Sequence, residues 1–199
     1  MDKEKNNFQI PQSSKFPNLV LNESTNSAEI YIQRINGLSF LNLRIKSKDD
    51  DDFKKIYGCD LPLYNNTFMI SGNRKIIWLG PDEFLLIFEN HEEKYIFENL
   101  NIVFSKQHYA LTNISDSQEI FCLSGHYVRD LLSKGCPIDL HINSFNKGMS
   151  AQTILEKVDV LLFCNDKNSI SITFKRSYYD YVSSWIKDAA TEFGYKFSD

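Results

Sequence analysis

Apolar and polar residues alternate along much of this chain, and this alternation predicts strands. The first such run, residues 30–45, suits one strand or a hairpin that bends near Gly37. Further strands are predicted at residues 67–70, 75–79, 83–88, 103–111, 119–123, 152–157, 158–164 and 169–174. Helices are predicted at residues 47–57, 91–100, 126–134 and from Tyr178 onward.

These elements follow one another in a similar order twice. The connections between neighbouring strands are too short for helical crossovers, so antiparallel sheets are expected. The sequence therefore predicts an α+β fold of two similar small units, residues 29–113 and 114–199, each an antiparallel sheet with two helices. Residues 1–28 are polar and contain two prolines, and we expect an extended N-terminal arm that either docks on another surface or remains a tail.

A repeated stretch supports the organisation into two units. Residues 58–68 and 135–145 both begin with Gly-Cys, share a central Leu and an Asn, and end in Phe. They lie 135 − 58 = 77 positions apart. The same offset aligns Asp82 with Asp159 and residues 84–85 with residues 161–162, which predicts that the similarity continues beyond the loop.

Charge and composition restrict the class of partner. The formal net charge is −4 and basic residues are scattered, whereas a nucleic-acid backbone requires a basic patch, so nucleic acid is not an expected partner. No window approaches the roughly 18 apolar residues of a membrane span, and no apolar run of secretory length follows the N-terminus. We therefore expect a cytoplasmic protein with no membrane partner, whose four cysteines are reduced thiols.

The usual motifs for cofactors and catalysis do not occur. No two glycines form G-x-G, and the residues from His91 do not form H-E-x-x-H, so no catalytic, cofactor-binding or metal-binding residues are expected. Two alternatives stay open. The acidic residues 49–52 either begin a helix or bind a divalent cation. Cys136 and His141 either form a nucleophile and base or belong to a structural loop.

Several blocks of residues resemble the gamma subunit of heterotetrameric sarcosine oxidase. In the second half these are Leu123-Ser-Gly, Asp130-Leu-Leu-Ser-Lys-Gly-Cys-Pro-Ile-Asp-Leu-His141, Ala151-Gln-Thr-Ile-Leu155, Val160-Leu-Leu-Phe163 and residues 176–190. In the first half they are Leu41-Asn-Leu-Arg44, Leu61-Pro62 and Trp78-Leu-Gly-Pro-Asp-Glu-Phe-Leu-Leu-Ile87. The Ser-Gly-x-x-x-Arg-Asp-Leu-Leu pattern at residues 124–132 is also similar to glycine-cleavage aminomethyltransferases, which implies an aminomethyltransferase-like fold.

The resemblance implies a subunit that carries no cofactor of its own. In this family the complex oxidatively demethylates sarcosine and passes the one-carbon unit to tetrahydrofolate. FAD, FMN, NAD, zinc and tetrahydrofolate are accordingly implied on the partner alpha, beta and delta subunits. The expected contact is chiefly with alpha, the large folate-binding subunit, which this chain would stabilise.

A companion subunit needs a partner-facing surface more than a pocket. Two groups of residues are candidates for it: Cys136, Asp139 and His141 of the repeated loop, and Tyr178, Tyr179, Tyr181 and Trp185 of the last helix. Asp139 is equally well explained as a turn residue, and the aromatic residues as part of the core. Gln152 and Thr153 either bond to a neighbouring chain's backbone or occupy a wet sheet face.

The leading hypothesis is a non-catalytic gamma subunit of a flavin-dependent sarcosine oxidase. The first alternative is a small stand-alone, folate-binding enzyme of the aminomethyltransferase type, in which Asp159 or Asp82 would orient the pterin amine. The chain is shorter than a full aminomethyltransferase, which counts against that alternative. The second is a general protein-interaction domain.

Overall fold

The structure, a computed structural model, describes residues 29–46 and 51–199. The predicted arm, residues 1–28, lies outside the described residues, and so do residues 47–50. The acidic run continues directly into helix α1, Asp51–Tyr57, where Lys55 donates to the carboxylate of Asp52 at 2.6 Å. The cation-binding alternative for residues 49–52 therefore lies partly outside the described residues.

Five strands of the described chain form the first sheet. Their order is β3 (Phe68–Ser71), β4 (Arg74–Gly80), β5 (Glu83–Glu89), β2 (Leu38–Ile45) and β6 (Tyr109–Asn113), and every neighbouring pair is antiparallel. Helices α1 and α2 (Glu93–Phe104) pack on one face of this sheet. Helix α2 buries Ile96, Leu100 and Phe104, which recur every four residues as helical geometry requires.

Six strands of the described chain form the second sheet. Their order is β11 (Tyr195–Ser198), β1 (Ile30–Arg34), β7 (Gln118–Gly125), β10 (Ser169–Lys175), β9 (Val158–Asp166) and β8 (Ser150–Leu155). Strands β1 and β11 are parallel and the other pairs are antiparallel. Helices α3 (Val128–Ser133) and α4 (Tyr179–Ala190) pack on one face.

The two sheets repeat one topology. The order β3-β4-β5-β2-β6 corresponds to β8-β9-β10-β7-β11, except that β1 is inserted between β7 and β11. Strand β1 therefore belongs to the second sheet, although it precedes every strand of the first. The backbone of Glu29 passes so close to Gly125 (φ 131°) that a Cβ there would lie 2.0 Å from the Glu29 carbonyl oxygen. Only glycine fits at this crossing.

The offset between corresponding elements is 77 only around the first helix and loop of each unit. It is 158 − 74 = 84 for β4 and β9, and 169 − 83 = 86 for β5 and β10. It remains 86 for α2 and α4, and for β6 and β11. The predicted alignment of Asp82 with Asp159 is therefore wrong. The loop before β8 (residues 134–149) is longer than the loop before β3 (residues 58–67), and β8 and β9 are longer than β3 and β4.

The two sheets pack face to face, with their helices on the outside. The inner faces share one apolar cluster, formed by Phe40, Phe68, Ile77, Leu85 and Ile87 of the first sheet and Ile120, Leu161 and Phe163 of the second. Each sheet also has an apolar cluster of its own, which lies between the sheet and its two helices. The molecule is thus a four-layer helix–sheet–sheet–helix sandwich. Its α+β class is the one that the sequence predicts.

Two predicted elements differ from the structure, and one strand was not predicted. Residues 30–45 do not form one strand or a hairpin, because Gly37 (φ 76°) leads the chain from one sheet to the other. The strand predicted at residues 103–111 begins only at Tyr109, since Val103 still lies in α2. Strand β11 has only four residues and begins five positions after the end of α4, and the sequence pattern did not indicate it.

Candidate functional site

The loop that contains Cys136, Asp139 and His141 is held by its own contacts. Cys136 is buried, and burial raises the pKa of its thiol to about 12, so the thiol stays protonated near neutral pH. Asp139 is exposed; its carboxylate accepts hydrogen bonds from Ser144 and from the His141 amide, and these lower its pKa. His141 is also exposed, and its Nδ1 accepts the amide of Asn143 at 3.3 Å. A protonated, buried thiol does not suit the nucleophile alternative.

Arg129, the arginine of the pattern at residues 124–132, organises the same loop. Its guanidinium donates to the backbone carbonyls of Leu140 at 2.6 Å, Phe145 at 2.7 Å and Lys167 at 3.0 Å. Arg129 therefore links helix α3 to Leu140 and Phe145 of the loop and to the turn between β9 and β10. Within the described chain its role is structural.

The four aromatic candidates on α4 and just before it divide into two pairs. Trp185 packs on the loop: a Cβ at Gly135 would lie 2.6 Å from the Trp185 ring. Tyr179 lies under the Arg34 guanidinium, 4.4 Å from its ring centre, and donates to Asp199 at 3.0 Å. Tyr178 and Tyr181 remain 44% and 42% exposed. Tyr178 and Tyr181 therefore expose more aromatic surface than Tyr179 and Trp185.

A charged cluster that the sequence analysis did not single out lies beside Tyr179. Glu119 is only 4% exposed and accepts two hydrogen bonds from Arg34, at 2.8 and 3.0 Å, and one from Arg176 at 2.9 Å. The cluster ties β1 to β7 and to the turn before α4. Both partners of Glu119 are arginines, which suit bidentate recognition of a carboxylate.

Lys75 forms a second buried charged site, between the two sheets. It is 2% exposed, and burial lowers its pKa to about 7. Its Nζ donates to the side chain of Asn165 at 2.8 Å and lies 4.8 Å from the centre of the Phe163 ring. Asn165 in turn donates to Ser171 at 2.8 Å. Lys75 and Glu119 are each the first residue of a predicted strand. Charged residues are common at strand ends, so the sequence pattern did not predict that these two side chains are buried.

An open groove of about 660 Å³ lies where the inner faces of the two sheets separate. Its apolar lining includes Leu79, Leu161 and Phe174, and Asp159 and Lys175 also line it. Gln152 crosses the groove and donates to the carbonyl of Leu79 at 2.7 Å. Gln152 therefore bonds to the backbone of its own chain, in the first sheet, and not to the backbone of a neighbouring chain.

Two further findings concern the described residues alone. No three His, Cys, Asp or Glu side chains among them are grouped so that they could hold a metal ion. None of their helices has the length and apolar character needed to cross a membrane.

The architecture defines a structural class. It matches aminomethyltransferase T of the glycine cleavage system from Bartonella henselae with a TM-score of 0.61 and 10% identity, over 86% of this chain and 48% of that one. The fold is thus aminomethyltransferase-like, and the partial coverage agrees with the shorter length of this chain.

The chain belongs to the sarcosine oxidase gamma subunit family, whose model matches residues 51–192. It is 30% identical over 118 residues to the sarcosine oxidase gamma subunits of Corynebacterium sp. strain U-96 and of an Arthrobacter species. The match spans 59% of this chain and 57% of each of those relatives. A chain of the heterotetrameric sarcosine oxidase from Corynebacterium sp. U-96 superimposes with a TM-score of 0.76 and 25% identity, over 85% of this chain and 88% of that one.

Proposed function

We propose that this chain is the gamma subunit of a heterotetrameric, flavin-dependent sarcosine oxidase. One observation carries the proposal: the family match over residues 51–192 coincides with a structural match that covers most of both chains. The matched sequence spans just over half of the curated relatives, and for that reason activity, substrate and partners are part of the proposal.

In this proposal the chain has no active site of its own and stabilises the large, folate-binding alpha subunit. Flavins, NAD, zinc and tetrahydrofolate belong to the partner subunits, and the complex is cytoplasmic. The roles of the family-type residues support this assignment. Arg129 binds three backbone carbonyls of its own chain, and Cys136 is a buried, protonated thiol. Residues placed in this way stabilise a scaffold.

A second candidate function is a stand-alone folate-binding enzyme, favoured by the aminomethyltransferase-like fold and by the position of Asp159 in the groove. Asp82 does not share this position, because it lies in the exposed turn between β4 and β5. The candidate would therefore depend on Asp159 alone to orient a pterin amine. A general interaction domain without one-carbon chemistry is the remaining alternative.

One preparation separates these functions. The chain is tagged at its chromosomal locus and purified from its own cells, and the co-purifying chains are identified by mass spectrometry and by their visible spectrum. The proposal expects larger chains with a flavin spectrum at 1:1 stoichiometry with the tagged chain. A chain that elutes alone and binds a reduced folate in a calorimetric titration would instead identify the stand-alone enzyme.

A further inference from the structure

Strand β8 forms an edge of the second sheet, and no strand of the described chain pairs with its outward side. It pairs with β9 on one side only. Its six residues, Ser-Ala-Gln-Thr-Ile-Leu, include no charged residue and no proline, the residues with which proteins commonly block edge strands. Such an edge can accept a further strand.

The outward side of β8 is open over a short, bounded length. The amide of Ser150 donates outward to the carbonyl of Asn66 at 2.7 Å, and that of Glu156 donates to Gly135 at 2.9 Å. Backbone groups that face the same way recur at every second residue, so those of Gln152 and Ile154 also point outward. Neither residue has an outward backbone partner in the part of the chain that the structure describes. The open edge between Asn66 and Gly135 is called the β8 slot here.

The side chains at the slot lie beside the groove. Gln152 is opposite Leu161 and Ile154 is opposite Asp159 in the β8–β9 register, which places them on the inner face of the sheet. Gln152 is fixed by its bond to Leu79, whereas Ile154 is 42% exposed. An added strand would therefore place an apolar side chain against Ile154.

A carboxylate next to the slot indicates which charge the bound segment should carry. Val160 is opposite Phe174 in the β9–β10 register, so Asp159 is opposite Lys175. Both are exposed, and no ion pair joins Asp159 to any residue of the described chain. Asp159 lies next to Ile154, at the end of the slot away from Asn66. A basic side chain of the occupant at that end would complement it.

We propose that the β8 slot receives a short extended segment of another subunit of the oxidase, which adds one strand to the second sheet. The segment carries an apolar residue against Ile154 and a basic residue against Asp159. This assignment rests on the proposed function. A second copy of this chain fits less well, because the Asn66 and Gly135 segments flank the edge. In such a dimer the Asn66 and Gly135 segments of one copy would collide with those of the other copy before the two β8 strands came within the pairing distance of about 4.8 Å.

Substitutions at Ile154 test the backbone bond. Ile154→Pro removes the outward N–H but no bond to β9, and edge strands accept proline at such positions. Ile154→Ala trims the side chain and keeps the N–H, so it is the matched control. The chain is co-expressed with the other subunits, and the dissociation constant of the complex is measured with the purified proteins. We expect Ile154→Pro to weaken assembly about tenfold more than Ile154→Ala, the effect of about one hydrogen bond.

A charge reversal provides a second test that does not depend on how proline folds. Asp159→Lys should weaken assembly several-fold and more strongly at low salt, whereas Glu98→Lys, which reverses an exposed carboxylate on α2, should not.

The outcomes distinguish the two levels of the proposal. Suppose that the wild-type chain assembles, that Ile154→Pro binds as tightly as Ile154→Ala, and that Asp159→Lys binds as tightly as Glu98→Lys. The slot is then not the docking site, and the proposed function stands. If the wild-type chain does not assemble with the other subunits at all, the proposed function fails and the slot proposal fails with it. A homodimer that only Ile154→Pro disrupts would also overturn the slot proposal, in favour of a second copy.

Discussion

The buried Lys75 should make the free energy of unfolding increase with pH. Burial lowers the pKa of Lys75 to about 7 in the folded protein, whereas a lysine in the unfolded chain has a pKa of about 10.4. Between these values the unfolded chain binds more protons than the folded chain, so raising the pH favours the folded state. The effect is largest above pH 7, where folded Lys75 loses its proton.

The size of the effect follows from the two pKa values. Proton linkage over the interval from pH 7 to 9 gives an increase of about 2 kcal/mol in the free energy of unfolding. The buried thiols of Cys59 and Cys136 act in the opposite direction. Burial raises the pKa of each to about 12, so their contribution to stability declines as the pH rises above the unfolded thiol value of about 8.5. A Lys75 variant is needed to isolate the effect of the lysine.

The assay is urea unfolding of the wild-type protein, Lys75→Met and Lys157→Met at several pH values from 7 to 9. Lys157 is exposed in the β8–β9 turn and is the matched control. The stability of the wild type relative to Lys75→Met should increase by about 2 kcal/mol over this range. Relative to Lys157→Met it should stay constant. A difference between wild type and Lys75→Met that does not change with pH would refute the reasoning, because folded Lys75 would then be charged throughout.

Three further predictions concern other contacts. Glu119→Gln should lower the free energy of unfolding by about 2–3 kcal/mol, since Arg34 and Arg176 lose a buried carboxylate; chemical denaturation measures this, and an unchanged midpoint would contradict it. Gly135→Ala should cost about 1–3 kcal/mol and alter the near-ultraviolet circular dichroism of the displaced Trp185. Arg129→Met should accelerate hydrogen exchange selectively in residues 140–145, and uniform exchange along the chain would argue against its local role.

The sequence predicted most strands and helices, but not which strands share a sheet. The alternation in residues 30–45 predicts extended backbone equally well whether the two strands pair or separate at Gly37. Pairing depends on contacts with β7 and β11, which lie about 90 and 165 positions away along the chain. Local pattern carries no information about such distant partners.

The repeat offset was misjudged for a related reason. Residues 58–68 and 135–145 match just after the first helix of each unit, but Gly58 has φ 94° whereas Gly135 does not have a positive φ, so the match is one of local sequence and not of the whole unit. The longer loop before β8 adds residues without changing the topology, so the sequence offset changes while the fold does not.

The candidate site was predictable only in part. The sequence indicated Tyr178 and Tyr181 as surface candidates, and they are exposed, but whether a partner covers them stays a prediction. Burial of Lys75 depends on packing of one sheet on the other, and the open edge at Ile154 depends on the order of strands in the second sheet. Both properties arise only when the two units come together.

The insertion of β1 between β7 and β11 has a consequence for the order in which the protein folds during synthesis. All five strands of the first sheet lie between residues 38 and 113, so that sheet has its complete set of strands once this stretch has left the ribosome. Strand β1 emerges earlier than any of them. Its neighbours β7 and β11 begin only at residues 118 and 195, so β1, which is made before the other described strands, cannot complete its pairing until β11 has been made.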